Sequence, residues 1–309
     1  DWVWIKNRGA VTNHEVADSV RGVNKLLKPN DTDAEQSNSN KITSFDSNGF
    51  AVGNDANVNQ NSTAIVSWNW LAANGTASNS DGSITSTVSA NTTAGFSIVR
   101  YTGTGSNATV GHGLGVAPNV YIVKSLSGGG DWTSYHSVLG NTKFLRLNST
   151  IAAGTQSSYW NDTSPTSTVF SLGTAGDTNT NGGTHVAYCF ADKKGYSKFG
   201  SYTGNGNAAG PFVYTGFKPA FVIAKISSDA NDWFMFDNKR STFNPMDDSL
   251  YPNTSAVENT NHIIDFLSNG FKIRDSDGTV NSTGNTYIYM AFAENPFVTV
   301  GTKAAGTAR

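Results

Sequence analysis

The chain has a single cysteine, Cys189, among its 309 residues. One thiol can close neither a disulfide framework within the chain nor a thiolate zinc cluster. Charge is scarce as well: Asp, Glu, Lys and Arg make up 14% of the residues, and the net charge is −2. Without a basic field nothing draws in a phosphate backbone, so nucleic acid is not an expected partner. No apolar run approaches the roughly 18–20 residues of a spanning helix, so no membrane span is expected. Apolar residues reach only 37%, below the usual globular share. Gly, Asn, Ser and Thr fill the gap, and these residues disfavour helix interiors.

The chain is rich in aromatic residues, with 17 Phe, 11 Tyr and 7 Trp. That is enough to fill cores, so the composition is not that of a disordered chain. Short runs such as Trp2–Ile5, Phe96–Tyr101, Val120–Val123, Phe144–Leu147 and Phe221–Ala224 are aromatic and β-branched, between clusters of Gly, Asn and Asp. This is a strand pattern. Residues 186–191 and 288–293 crowd large side chains on both faces, which predicts strands buried on both sides. Thr12–Leu27 is a weak helix candidate, interrupted by Gly22. The expected fold class is all-β: tandem antiparallel β-sandwich-like repeats, two complete and one lacking its first strands.

Internal repetition is the strongest signal. Tyr101-Thr102-Gly103 opens a block that returns at Tyr202-Thr203-Gly204. A second block, 22 residues long, occurs at 1–22, 119–140 and 220–241, and puts Lys6, Lys124 and Lys225 in register. His14, Trp132 and Trp233 also coincide, as do Asp18, His136 and Asp237. The predicted layout is an incomplete repeat at 1–72, a polar linker at 73–94 with a short strand near Ile84–Val88, repeats at 95–196 and 197–297, and a tail at 298–309. The first repeat lacks the opening block. Either the chain is a piece of a longer protein or a neighbouring subunit supplies the strand. Val298, Thr299 and Val300 are the candidate donor strand for such assembly.

Chemistry is hard to find. No Gly-x-Ser-x-Gly elbow occurs, and the five histidines share no repeat position. Asp131, Asp232 and Asp237 lie near aromatics, as a glycosidase pair would, but they recur in a repeated frame, where acids cap turns or pair with Lys or Arg. Asp275-Ser276-Asp277-Gly278 resembles the start of a calcium loop without its later glutamate. Cys189 reads as a small core residue. No catalytic residue, metal or cofactor is expected. Nine Asn-x-Ser/Thr triplets, at Asn30, 61, 74, 91, 107, 148, 161, 253 and 281, are about what chance placement gives. The lysines Lys6, Lys124 and Lys225 predict a shared structural task, either snorkelling over an aromatic or salt bridging between subunits. Trp132, Tyr135, Trp233 and Phe236 are either core rings or sugar-stacking platforms.

The strings Gly95–Pro118, Thr163–Gly173 and Val186–Gly206, with the ending MAFAENPF, resemble a repeat domain of unknown function. It is found near the C-terminus of large tail-fibre and other structural proteins of aquatic tailed phages. The resemblance covers essentially the whole chain. It implies a virion-surface or extracellular filament and no catalytic residues. The expected function is therefore a structural, self-associating fibre subunit. The alternative is a module that binds host-surface glycans, and a polysaccharide depolymerase has less support.

Overall fold

The aromatic and β-branched run Trp2–Ile5 forms the expected strand, which extends over Trp2–Asn7 and is buried on both faces. The computed structural model describes residues 1–294. The residues expected to donate a strand, Val298, Thr299 and Val300, lie outside the described residues. The fold is almost all β, in antiparallel sheets.

The first stretch of chain forms β1 (Trp2–Asn7), β2 (Glu15–Asp18), β3 (Lys25–Leu26), β4 (Gln36–Ser37), β5 (Ile42–Asp46), β6 (Gly49–Val52), the single turn α1 (Ala56–Asn59) and β7 (Ile65–Trp70). The second forms β8 (Ala77–Asn79), β9 (Ser86–Asn91), β10 (Phe96–Thr102), β11 (Ala108–Gly111), β12 (Val120–Ser125), β13 (Thr133–His136), β14 (Lys143–Arg146), β15 (Gly154–Thr155), α2 (Ser157–Trp160), β16 (Val169–Leu172), α3 (Gly176–Asn179) and β17 (Thr184–Phe190). The third forms β18 (Ser197–Thr203), β19 (Phe212–Tyr214), β20 (Pro219–Ile226), β21 (Trp233–Asp237), β22 (Ile264–Leu267), β23 (Gly270–Ile273), α4 (Gly278–Asn281) and β24 (Thr286–Ala293).

The main sheets share one strand order. The second segment contains the run β13-β12-β17-β10, and the third has β21-β20-β24-β18. Among the described residues the first segment has β2-β1-β7. A smaller layer covers the second and third sheets: β11-β16 in one, β19-β23-β22 in the other. Phe170 of β16 meets Tyr121 at 4.9 Å and Tyr101 at 6.1 Å. Phe271 of β23 meets Tyr202 at 6.1 Å and Tyr289 at 5.3 Å. Aromatic contacts thus join the layers of each sandwich.

Two expectations are corrected. Residues 73–94 are not a linker: β8 pairs with β9, and β9 pairs with β10, so both extend the eight-stranded sheet. In β9 the buried positions are Ser86, Val88 and Ser89, so small residues serve within a strand paired on both sides. The weak helical pattern of Thr12–Leu27 instead yields β2 and β3, joined through a bridge between Val16 and Leu27.

The residues fall into two compact units. The first holds 1–148, 154–191 and 253–257, and the second holds 149–153, 192–252 and 258 onward. In the first unit, Trp2 stacks on Tyr188 at 4.7 Å, and Tyr188 donates from its hydroxyl to Asp18 at 2.7 Å. The first and second segments are therefore packed together rather than strung on a linker.

Candidate functional site

Lys6, Lys124 and Lys225 sit near the ends of β1, β12 and β20, and all three are fully buried. This burial is at odds with snorkelling, which would leave the ammonium in water, and among the described residues no carboxylate lies within ion-pair distance of any of the three. Backbone carbonyls hold the charge instead. Lys6 Nζ donates to Asn7 O at 2.8 Å, Ala10 O at 3.1 Å and Ser255 O at 3.4 Å. Lys124 Nζ donates to Gly130 O at 2.9 Å and Thr32 O at 3.1 Å. Lys225 Nζ donates to Ile226 O at 2.6 Å and Asp229 O at 3.2 Å. An ammonium has three donors and no acceptor, so it suits loops whose carbonyls face inward.

Burial pushes each of these lysines down to about 8. Asp177 and Asp131 oppose the shift at Lys124, as Asp232 and Asp229 do at Lys225. Between pH 8 and 10.5 the unfolded chain then holds more protons than the folded one. Stability should rise with pH there, by up to about 1.4 kcal/mol per pH unit for each lysine. Tyr101, Tyr121, Tyr188 and Tyr202 are pushed well above 10 by burial. Above pH 10 the unfolded chain therefore loses phenolic protons that the folded chain keeps, and stability should fall. Urea unfolding at pH 7, 9.5 and 11 should give the highest midpoint at 9.5. A midpoint falling steadily from pH 7 would contradict this account of the lysines.

A second recurring feature uses triplets that counting had assigned to chance. Asn30 Oδ1 accepts from His14 N, and Asn148 Oδ1 accepts from Trp132 N, each at 2.9 Å. Their amide groups donate to Asn13 and Asp131. The carbonyl two residues later then serves a different segment of the chain. Thr32 O accepts from Lys124 Nζ and from Gly130 N. Thr150 O accepts from Asn231 N, and Ser255 O accepts from Lys6 Nζ. A spacing shared by Leu27–Asn30, Leu145–Asn148 and Leu250–Asn253, Leu-x-x-Asn-x-Ser/Thr, was the available signal.

The recurring acids are absorbed in the same way. Arg21 pairs with Asp18 and with Glu35 at 3.2 Å. Arg240 pairs with Asp237 at 2.6 Å and with Glu258 at 2.9 Å. Both guanidiniums are buried, and each also donates to a backbone carbonyl, Val16 O or Met235 O. Asp131 pairs with Arg146 at 2.8 Å. Glu15 forms a buried pair with Lys41 and accepts from Asn57 at 2.8 Å. Asp277 caps α4, and Asp275 faces His262 at 3.4 Å. Among the described residues no group of three or more His, Cys, Asp or Glu could hold a metal ion.

Trp132, Tyr135, Trp233 and Phe236 are also buried, none more than 4% exposed. They offer no face to a sugar, which corrects the expectation of a stacking platform there. Tyr135 stacks on Tyr121 at 4.7 Å, and the Trp132 indole donates to Lys28 O at 2.9 Å. Exposed rings lie elsewhere: Phe212 and Tyr214 alternate along β19, and Phe243 is also uncovered. Cys189 is buried and its thiol is pushed upward by that burial. His112 is fully buried, with Nε2 facing Thr166 O at 3.2 Å. No helix among the described residues is long and apolar enough to cross a membrane.

A family model described as a domain of unknown function, DUF7483, matches residues 1–296. No curated protein and no solved structure matches the chain.

Proposed function

With membership of the DUF7483 family as the premise, we propose that this chain is a structural module of an extracellular fibre or virion appendage, assembling through exposed sheet edges. The observation that carries this reading is the direction of its recurring polar groups. Lys6, Lys124 and Lys225, together with Asn179 and Asn281, are fully buried and bonded to backbone. What the segments share is therefore support for the fold, with low surface charge around it. A sheet edge is a template for another chain, and among the described residues β8 is the outer strand of the eight-stranded sheet. Negative-stain microscopy of the purified protein should show filaments or regular oligomers. Isolated monomers at every concentration would reject the reading.

A second reading, glycan recognition, is favoured by Phe212 and Tyr214. Both are exposed on β19, two residues apart and so on one face. Paired rings of this kind can stack on a sugar. Phe212→Ala with Tyr214→Ala should abolish retention on host-surface polysaccharide and leave the circular dichroism spectrum unchanged. Equal retention would remove this reading.

A further inference from the structure

One buried cluster belongs to the first segment alone. Glu15 opens β2 and pairs with Ile5 in the sheet. The matching places in the other segments, opposite Val123 and Ala224, hold Thr133 and Phe234. Asn57 is the second residue of α1, where α3 has Asp177 and α4 has Thr279. The cluster is therefore not part of the polar support that the segments share.

Glu15 is buried and joins two side chains. Its Oε1 accepts from Lys41 Nζ in a buried ion pair and from Asn57 Nδ2 at 2.8 Å. Two donors on one oxygen lie within about 6 Å of each other. Backbone bonds hold the two partner segments together: Gly53 N donates to Lys41 O at 2.7 Å, and Asp55 N donates to Asn40 O at 3.0 Å. Asp55 caps α1 by accepting from Asn57 N at 2.9 Å. Ile42 and Val58, the chain neighbours of Lys41 and Asn57, are core residues. The second carboxylate oxygen, Glu15 Oε2, is buried with no hydrogen-bond partner among the described residues. Such a place serves an ionised carboxylate poorly. Burial accordingly holds the Glu15 carboxyl above the usual carboxylate range, against the pull of Lys41.

We infer that Lys41 and Asn57 join through an amide bond between Nζ and Cγ, with Glu15 carrying the proton and ammonia leaving. Glu15 takes a proton from the Lys41 ammonium, which leaves a neutral amine. The amine lone pair attacks Cγ once rotation of the flexible lysine stem brings it to about 3–3.5 Å, and the carbonyl π electrons move onto Oδ1. Glu15 then gives its proton to Nδ2 and takes another from the attacking nitrogen, since its Oε1 touches both groups. The Cγ–Nδ2 bond breaks, the carbonyl re-forms, and ammonia departs into water, where it picks up a proton. Asn57 is only partly buried, which gives the ammonia a way out. No electron is lost or gained overall, so no oxidant or reductant is needed. Glu15 ends as a neutral acid, the form that suits a buried carboxyl with one unserved oxygen.

The bond is internal to the chain and stands whether or not the chain forms fibres. The test is an intact-mass measurement on the purified, folded full chain. Its mass should fall short of the sequence value by one ammonia. Trypsin acting on the denatured protein should leave the bond after Lys41 uncut, because an acylated lysine carries no charge. Fragmentation of the resulting peptide should place a link between residues 41 and 57. Glu15→Gln, Lys41→Arg and Asn57→Ala should each show the full mass of the variant sequence. Asn57 is partly exposed, so Asn57→Ala should fold even where the two buried variants do not. Succinimide formation at Asn48-Gly49 or Asn74-Gly75 also expels ammonia. In that case Lys41 would still be cut and Asn57→Ala would keep the loss, which overturns the proposal. A full sequence mass with cleavage after Lys41 overturns it as well.

Discussion

Lys124→Ala should destabilise the protein by about 3–5 kcal/mol at pH 7, measured by urea unfolding. Two losses combine. The carbonyl of Gly130 loses its ammonium donor, and a buried acceptor left without one costs about 1–3 kcal/mol. Removing three methylenes and the ammonium from a fully buried site leaves a cavity, which adds a comparable amount. Lys124→Met separates the two. It fills most of the space and removes the cost of a buried charge, so it should cost about 1–2 kcal/mol. It should also flatten the rise in stability above pH 8 in proportion to the one lysine removed. Equal effects of Ala and Met would mean that hydrogen bonding dominates packing, and no effect of either would overturn the structural account. Lys6 and Lys225 should behave in the same way.

Asn281→Ala should cost about 2–4 kcal/mol, because one buried amide serves several backbone groups. Its Oδ1 accepts from Asn205 N, and its Nδ2 donates to Asn207 O and Asp275 O. Asn179 does the same for Thr104 N, Ser106 O and Gly173 O. The matched control is Asn59→Ala, expected below about 0.5 kcal/mol because that residue is exposed. The contrast matters more than either value. If Asn59→Ala cost as much as Asn281→Ala, burial of the amide would not be what sets the cost.

The all-β class was legible because aromatic and β-branched runs sit between turn residues, and those runs became β1, β10, β12, β20 and β24. The register of Lys6, Lys124 and Lys225 was legible too, from a 22-residue block without gaps. Their surroundings were not. The ligands are carbonyls of Asn7, Ala10, Gly130, Ile226 and Asp229, and any residue type offers a carbonyl. The asparagines that end α1, α3 and α4 were invisible for a related reason: a single four-residue turn has no period to detect. The misreading of 73–94 came from its small polar residues, which look like a linker even where their backbone pairs in a sheet. Trp132 and Trp233 looked equally suited to core or surface, and only their neighbours decide between the two.

The carbonyl-bound lysines also bear on how the chain meets a protease. A trypsin-class enzyme needs a cation in an accessible, extended stretch of backbone. Lys6, Lys124 and Lys225 instead lie in paired strands, and Arg21 and Arg240 are buried in ion pairs. Cleavage at any of these five positions requires the surrounding sheet or ion pair to open first. Digestion there measures how often a segment unfolds, and the rarity of such openings sets how long the module lasts in the presence of a protease.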